Sequence, residues 1–181
     1  MNKNTQRFNV IGQLATLRRY ALSLARNPDE AEDLVHDALV KAYERQVTYK
    51  SGANIRNWLL SIVHNTYVDR LRQKRSQQRR DEAAGELADH AAAPDQEHSV
   101  RLTQVRKAFL ELPDDQREAL HLVAIEELSY QEAAGVLGIP VGTLMSRISR
   151  ARARLRSIEE EAPGLRRNHL KLIGGTADDE Q

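Results

Sequence analysis

The amino-acid sequence predicts an all-α protein: two small helical domains joined by a flexible acidic linker, with a helix-turn-helix in the second domain. Apolar residues recur at helical spacing in both halves of the 181-residue chain. Aromatic residues make up only 4% of it, while alanine, leucine, arginine and glutamate are abundant, as in packed helices. Each half is close to the smallest size that buries a self-sufficient core.

The first half is predicted to hold three helices. The first covers about Phe8 to Arg26, and the second follows the start signal Asn27-Pro28-Asp29-Glu30 and runs to about Gln46. The third begins near Asn54 and continues through Leu71. Trp58 lies on the apolar side of this third helix, so we assign it to the core rather than to stacking on a base. The predicted core positions are Val10, Leu14, Leu17, Ala21, Leu24, Ala31, Leu34, Val35, Ala38, Leu39, Ala42, Ile55, Trp58, Leu59, Ile62 and Val63.

Charge is sorted along the middle of the chain, although the net charge is only +1. Residues 70–80 read RLRQKRSQQRR, with six cations and no acid, whereas residues 81–98 contain six acids and no lysine or arginine. The acidic stretch has few large apolar residues, which is typical of a flexible linker. The predicted divisions are a first domain over 8–76, a linker over 77–99, a second domain over 100–160 and a loose tail over 161–181.

The second half carries strong start and stop signals for helices. Periodicity resumes at Val100 and stops at Pro113, and Asp114 is predicted to cap a helix that runs through Glu127. Ser129 and Glu132 form the capping-box pattern S-x-x-E of a short helix that Gly138 ends. The last helix should cover Val141 to Ile158.

The last predicted helix combines an apolar stripe with concentrated positive charge. Leu144, Ile148, Ala151 and Leu155 share one side, while five arginines fall between residues 147 and 156, and no acid occurs from 138 to 156. A short capped helix, a glycine-containing turn and a second helix form a helix-turn-helix, whose second helix lies in the DNA major groove. The alternative is a solvated basic helix of a bundle, and the preceding capping box and turn favour nucleic acid.

The same residues carry a family resemblance. The stretch LPDDQREALHLVAIEELSYQEAAGVLGIPVGTLMSRISRARARLR (112–156) resembles the promoter-binding domain of the extracytoplasmic-function sigma factors of bacterial RNA polymerase. In the first half, NPDEAEDLVHDALVKAYE (27–44) resembles the polymerase-binding helix of that family, and NIRNWLLSIVHNTYVDRLRQKR (54–75) resembles its −10 recognition segment. The three segments occur in the family's order, with a linker between the halves.

The resemblance implies roles for residues of the first half. It implies that Asp33, His36, Asp37 and Lys41 meet the coiled coil of the polymerase clamp. The alternative for these four is an ordinary solvated face with an Asp37–Lys41 pair four residues apart. Asn65 would hold a flipped-out base of the −10 element, because an amide both donates and accepts hydrogen bonds; its alternative is a plain surface position. Four cations would hold the strand backbone there: Arg70, Arg72, Lys74 and Arg75.

The resemblance also implies a −35 surface on the last helix. Pro140, Thr143, Ser146, Arg150 and Arg152 match family positions that approach the −35 element, and we add Arg147 and Ser149 to this predicted surface. Two positions depart from the family, because Met145 stands where an arginine can occur and Ser149 where an aromatic can occur. The base preference at −35 therefore does not transfer from a relative.

Several function classes are disfavoured by the sequence. The chain has no cysteine, which excludes disulfides and thiolate metal sites. No P-loop, G-x-G-x-x-G, H-E-x-x-H or G-x-S-x-G motif occurs, and the six histidines lack ligand spacing. We therefore predict no catalytic residue, no metal and no cofactor. No signal peptide or membrane-spanning run is predicted, and a cytoplasmic location is expected.

The predicted partners follow from the resemblance and from the reach of the linker. Extended, residues 77–99 reach about 75–80 Å, but as a flexible coil their ends average about 25–30 Å apart, against roughly 70 Å for two turns of DNA. A large scaffold must therefore hold the domains apart. The expected partners are core RNA polymerase, through its clamp coiled coil and flap, promoter DNA, and an anti-sigma factor. The alternatives are a duplex-DNA regulator that acts without polymerase and a sigma-like decoy that binds an anti-sigma factor.

Overall fold

The computed structural model describes residues 10–49, 53–81 and 100–161, and gives side chains for 10–49, 53–79 and 103–157. These residues form helices and no strand, which confirms the all-α prediction for the described part of the chain. Two short 3₁₀ turns, Ile11–Gln13 and Gln46–Thr48, flank the first two α-helices. The α-helices are α1 (Leu14–Ala25), α2 (Pro28–Glu44), α3 (Ile55–Asp81), α4 (Val100–Leu110), α5 (Asp114–Ala124), α6 (Tyr130–Leu137) and α7 (Val141–Glu161).

Helix α2 begins where the sequence predicts. The Asn27 side chain accepts hydrogen bonds from the backbone N–H groups of Asp29 and Glu30 at 2.8 and 3.1 Å, and Pro28 is the first helical residue. The acids of the first turn face the positive end of the helix dipole. Five of the six predicted core positions of α2 are buried, and Leu39 packs partly buried against the same core.

Helix α3 is longer than predicted. The Asn54 side chain caps it by accepting from the N–H of Arg56 at 3.0 Å, and the helix continues to Asp81, well past the predicted end at Leu71. Arginine, lysine and glutamine have high helix propensity, so the segment stays helical although residues 72–79 are all exposed. Residues 77–81 of the predicted linker are thus helical, and the rest of it, 82–99, lies outside the described residues.

Helix α5 differs from its prediction at both ends. Pro113 occupies the N-cap position and Asp114 is the first helical residue, so the predicted Asp114 cap is wrong. The Asp114 carboxylate instead accepts from Arg26 at 2.9 Å and from Arg117 at 2.8 Å. The helix ends at Ala124 rather than Glu127, because Glu127 adopts a left-handed conformation with φ of 54°.

Helices α6 and α7 form the predicted helix-turn-helix. The Ser129 hydroxyl accepts from the N–H of Glu132 at 3.2 Å, and the Glu132 carboxylate accepts from the N–H of Ser129 at 3.0 Å, which completes the capping box. Gly138 ends α6 with φ of 64°, a left-handed conformation that an L side chain disfavours. Pro140 then leads into α7, so the turn between the helices is short.

The two halves of the chain pack against each other in a single hydrophobic core. Helix α1 packs against α5, and α3 packs against α6, in addition to the contacts of α1, α2 and α3 among themselves. Leu17 and Leu24 of α1 belong to the same buried cluster as Leu122 of α5 and Leu144 of α7. Because each half alone is close to the smallest size that buries a stable core, the shared core lets both halves bury more apolar surface than either could alone. None of the described helices is long and apolar enough to cross a membrane.

Candidate nucleic-acid and protein interfaces

Helix α7 presents a buried stripe and an exposed polar face, as its periodicity predicts. Leu144, Ile148 and Ala151 are buried, and Leu155 packs partly buried against them. Five of the predicted −35 residues are exposed, namely Pro140, Thr143, Ser149, Arg150 and Arg152. Ser146 is half-buried, and its hydroxyl donates to the Thr143 carbonyl at 2.8 Å. The fold thus docks α7 through its apolar side and leaves a hydroxyl- and arginine-bearing face open to solvent.

Arg147 is the one predicted −35 residue that is held by other side chains of the helical core. Its Nη1 donates to Glu118 at 3.0 Å, and its Nε lies 3.5 Å from the Asp115 carboxylate. Both acids lie on α5, and the Arg147 side chain is only 22% exposed. This pairing fixes α7 on α5, and a DNA contact by Arg147 stays a prediction.

A buried titratable cluster lies behind this ion pair, at the contact between the halves. The His64 Nδ1 of α3 lies 3.4 Å from a Glu118 carboxylate oxygen and 3.4 Å from the Tyr20 hydroxyl of α1. Burial raises the pKa of Glu118 to about 7, against the lowering effect of Arg147. Burial, with the charge of Arg147, lowers the pKa of His64 to about 4. At neutral pH His64 is therefore uncharged, so its 3.4 Å contact with Glu118 is not an ion pair.

Helix α3 carries the predicted −10 residues on its exposed surface. Asn65 is exposed, and Arg72, seven residues further on, shares its side of the helix. Lys74 and Arg75 are also exposed on the C-terminal extension of α3. Arg70 is half-buried, donates to the Asp37 carboxylate and to the Asp33 carbonyl at 2.9 Å, and so ties α3 to α2. The extension therefore presents an exposed run of cations next to Asn65.

The predicted polymerase face lies on α2, beside the −10 residues. Asp33, His36 and Asp37 are exposed, while Lys41 is half-buried. The Asp37–Lys41 pair of the alternative interpretation does not form, because Asp37 pairs with Arg70 and the Lys41 Nζ lies 3.5 Å from Asp69. Both partners are on α3, so the structure brings the predicted polymerase face and the predicted −10 face into direct contact.

Trp58 packs where the sequence places it. Its side chain is half-buried against the hydrophobic core, and its ring lies 5.3 Å from the Tyr49 ring at an angle of 57°. A tilted aromatic pair of this kind is a packing contact. The observed contacts support the core assignment of Trp58.

Arg117 is a fully buried charge that no pattern in the sequence singles out. From α5 it donates to the backbone carbonyl oxygens of Ser23 and Leu24 at the end of α1, and to the Leu112 carbonyl at 2.7 Å. It also pairs with Asp114 at 2.8 Å. Arg117 therefore satisfies orphan carbonyls at the C-terminus of α1 and joins the two halves.

Glu126 is the second buried charge between the halves. Glu126 follows α5 in the chain, and its carboxylate is fully buried. The carboxylate accepts hydrogen bonds from Arg19 of α1 and from Arg56 of α3, and it lies 3.3 Å from the His121 Nε2. Burial by itself would raise its pKa, but the hydrogen bonds from His121, Arg19 and Arg56 outweigh burial and lower the pKa to about 2. A nearby contact, from the Asn57 side chain to Glu132 at 2.9 Å, extends this polar seam between α3 and α6.

No group of three or more potential metal ligands occurs among the residues that the structure describes. The titratable residues that do cluster, around Glu118 and Glu126, are engaged with arginines and histidines of neighbouring helices. The exposed surfaces are therefore the candidate functional sites of the described helices.

Comparisons with known proteins match two regions of the chain to one family. The family model for Sigma-70 region 2 matches residues 13–77, and the model for Sigma-70 region 4 matches residues 102–155. The ECF RNA polymerase sigma factor EcfG of Rhodopseudomonas palustris is 35% identical over 153 residues, which span 84% of this chain and 83% of that protein. The ECF RNA polymerase sigma factor SigM of Bacillus subtilis is 31% identical over 142 residues, 77% of this chain and 86% of that protein.

A solved structure is also similar over most of the chain. The sigma factor RpoE from Bartonella quintana, in complex with the anti-sigma factor NepR, superimposes with a TM-score of 0.73 at 35% identity. The match covers 89% of this chain and 99% of the Bartonella quintana chain. The likeness therefore includes both halves of the chain.

Proposed function

Since this chain belongs to the extracytoplasmic-function sigma factors, alternative sigma factors that direct transcription initiation, we propose that its two halves contact two different elements of one promoter. The observation that carries the proposal is the pair of exposed cationic surfaces on separate halves. One is the C-terminal extension of α3 beside Asn65, and the other is the exposed face of α7. Cationic helices of this kind bind DNA phosphates irrespective of sequence.

The first half engages both polymerase and the −10 element. Asp33, His36, Asp37 and Lys41 of α2 contact the coiled coil of the clamp, and Asn65 holds an extruded base. Arg70, Arg72, Lys74 and Arg75 hold the strand backbone. Opening DNA costs about 1.4 kcal/mol for each base-pair step. Capture of one base offsets part of this cost and reads the edge of the base, and phosphate contacts offset more at low salt.

The second half binds the −35 element as duplex and meets the polymerase flap. Pro140, Thr143, Ser146, Ser149, Arg150 and Arg152 lie on or beside the exposed face of α7. Arg147 stands at the edge of this surface, where its pairing with Asp115 and Glu118 orients α7. Hydroxyl and guanidinium groups donate to phosphates and base edges alike.

The two halves must separate if the first is to bind the −10 element while the second binds the −35 element. They share one core in the free chain, whereas the two promoter elements lie roughly 70 Å apart if two turns of DNA divide them. We propose that binding to core polymerase supplies the scaffold that holds the halves apart. Catalysis of RNA synthesis then belongs to the polymerase, and the chain needs no cofactor.

A protein inhibitor is the second proposed partner. The similar Bartonella quintana sigma factor was solved with the anti-sigma factor NepR, and this supports the proposal that an anti-sigma factor holds this chain inactive. Both partners would meet the chain in the cytoplasm, where transcription occurs.

Run-off transcription tests the proposal. Purified core polymerase is given a promoter library with and without the chain, and specific starts that need the chain are expected. Asn65→Ala should abolish these starts while leaving duplex binding at −35, and Asp37→Arg should abolish binding to core polymerase. A duplex-DNA regulator would bind promoters without polymerase and give no starts. A decoy would bind an anti-sigma factor and no DNA.

A further inference from the structure

Two apolar side chains are exposed at the start of α7, where the rest of the open face is polar. Val141 is 37% exposed and Met145 is 52% exposed. Four residues apart, they are neighbours on one side of the helix. They belong to the first two turns, and in a helix-turn-helix the N-terminal residues of the second helix contact base edges. Their position therefore puts apolar surface where DNA sequence is read.

The first two turns of α7 offer no free positive charge. Between 141 and 147 the other side chains are Thr143, Leu144, Ser146 and Arg147, of which Leu144 is buried and Arg147 is paired with Asp115 and Glu118. The exposed arginines follow later, at 150, 152, 154 and 156. Bidentate recognition of guanine needs a free guanidinium or ammonium group, so these turns are poorly suited to guanine.

We propose that Met145, supported by Val141, recognises thymine in the −35 element by contact with its C5-methyl group. This inference rests on the −35 role of α7 proposed above. Thymine is the one base that presents an apolar group in the major groove. A methionine side chain is flexible and polarisable, so it adapts to a methyl group on the groove floor. The later arginines then bind the flanking phosphates.

The charge around the apolar pair favours DNA over a protein as its occupant. Arg152, seven residues beyond Met145, is exposed on the same side, and Arg150, Arg154 and Arg156 are exposed on the following turns. An apolar pair bordered by exposed cations complements a groove lined by phosphates. A protein partner is one of the outcomes that the test distinguishes.

Deoxyuridine substitution tests the proposal directly. A promoter is first selected from a random −35 library by the complete holoenzyme, core polymerase with the full chain. Each −35 thymine is then replaced, singly and on either strand, by deoxyuridine, which removes one methyl group and keeps base pairing. At one position we expect holoenzyme affinity to fall about 4-fold, the loss typical of one buried methyl-sized contact. In Met145→Ala the same replacement should have no effect.

Two further variants sharpen the test. Met145→Arg should shift the preferred base at that position from thymine to guanine in a repeated selection. Val105→Ala is the matched control, since Val105 lies on α4 and is also 52% exposed, and it should keep the full deoxyuridine response. Because Met145 is exposed, its variants should unfold at the same urea concentration as the parent.

Results that contradict the thymine proposal can be distinguished from results that contradict the proposed function. If no thymine in the selected element responds to deoxyuridine, or if Met145→Ala keeps the response, the thymine proposal is overturned while −35 binding stands. If Met145→Ala weakens binding to core polymerase or an anti-sigma factor and leaves the deoxyuridine response intact, the pair belongs to a protein interface and the proposal is again overturned. If the holoenzyme selects no −35 element at all, the proposed function itself fails.

Discussion

The Arg19 guanidinium of α1 donates two hydrogen bonds to the Glu126 carboxylate of the second half, at 3.2 Å from Nε and 3.1 Å from Nη2. Arg56 of α3 donates to the same carboxylate, so a single buried acid connects two helices of the first half to the second. Paired, two-point contacts of this kind fix geometry as well as adding stability. Glu126 is therefore the centre of the contact that would open in the proposed separation of the halves.

Replacing Glu126 by glutamine should loosen the contact between the halves. Removing one partner of a buried ion pair costs about 3–5 kcal/mol, and since Arg19 stays half-exposed we expect about 2–3 kcal/mol. Urea denaturation measures this loss, and small-angle scattering should show a larger radius of gyration for the free chain. Glu111→Gln is the control, because Glu111 forms only an exposed pair with Lys107 at 3.9 Å; equal effects of the two variants would refute this role of Glu126.

The buried His64–Glu118 contact predicts opposite pH dependences for two single variants. Glu118, with its pKa raised to about 7, binds more protons when folded, so its contribution to stability falls as pH rises from about 4.5 to 7. His64, with its pKa lowered to about 4, binds more protons when unfolded, so its contribution rises between pH 4 and 6.5. In the parent protein the two slopes largely cancel.

Each variant should therefore show the pH dependence of unfolding free energy that the remaining group contributes. From pH 5 to 7, His64→Gln should lose about 2 kcal/mol of unfolding free energy, and Glu118→Gln should gain about 2 kcal/mol. Urea titrations at the two pH values measure both changes. His36→Gln, at an exposed histidine of α2, should keep the parent profile. Slopes of the same sign in the two variants would contradict the assigned pKa shifts.

The cations on the extension of α3 should contribute to promoter binding through phosphates. Replacing Arg75 by alanine should weaken binding of the holoenzyme to all promoter sequences equally. The slope of log affinity against log salt concentration should become shallower by about 0.7–0.9 for each lost phosphate contact. Filter binding over a series of salt concentrations measures this slope. Arg18→Ala, an exposed arginine of α1 paired with Glu32, should leave it unchanged, and an unchanged slope in Arg75→Ala would remove Arg75 from the interface.

Gly135 inside α6 and Gly138 just after it separate the effect of backbone conformation from the effect of space for a side chain. A Cβ atom would meet nothing within 4 Å at either Gly135 or Gly138, but only Gly138 has a positive φ. Gly138→Ala should therefore destabilise the fold by about 1 kcal/mol through left-handed strain, while Gly135→Ala should stabilise it by about 0.5–1 kcal/mol through helix propensity. Thermal or urea unfolding checks both signs, and a Gly138→Ala variant as stable as the parent would contradict the left-handed conformation at the end of α6.

The sequence predicted those parts of the fold that depend on local pattern. Helical periodicity identified the buried face of α2, and the capping box with Gly138 located the helix-turn-helix. The extension of α3 was missed because it has helix propensity but no apolar face, so periodicity ends before the helix does. The roles of Asn65 and of the α7 residues stay predictions, although their exposure agrees with those roles.

The contact between the halves could not be predicted from local pattern. Arg117 is fully buried because its partners are the carbonyl oxygens of Ser23 and Leu24, more than ninety residues away. Glu126 is buried because two arginines of the first half reach it. On a sequence, both residues look like ordinary surface charges of an amphipathic helix. Only the tertiary structure shows that they are paired and desolvated.

Footprinting of the promoter complex tests most directly whether the two halves read two elements of one promoter on the polymerase. DNA protection and permanganate reactivity of unpaired thymines are mapped with the chain alone, core polymerase alone, and both together. We expect two protected segments about two helical turns apart, with reactive thymines in the downstream one, only when both are present, and loss of that reactivity in Asn65→Ala. Full protection of both segments by the chain alone, without reactive thymines on addition of polymerase, would contradict the proposal.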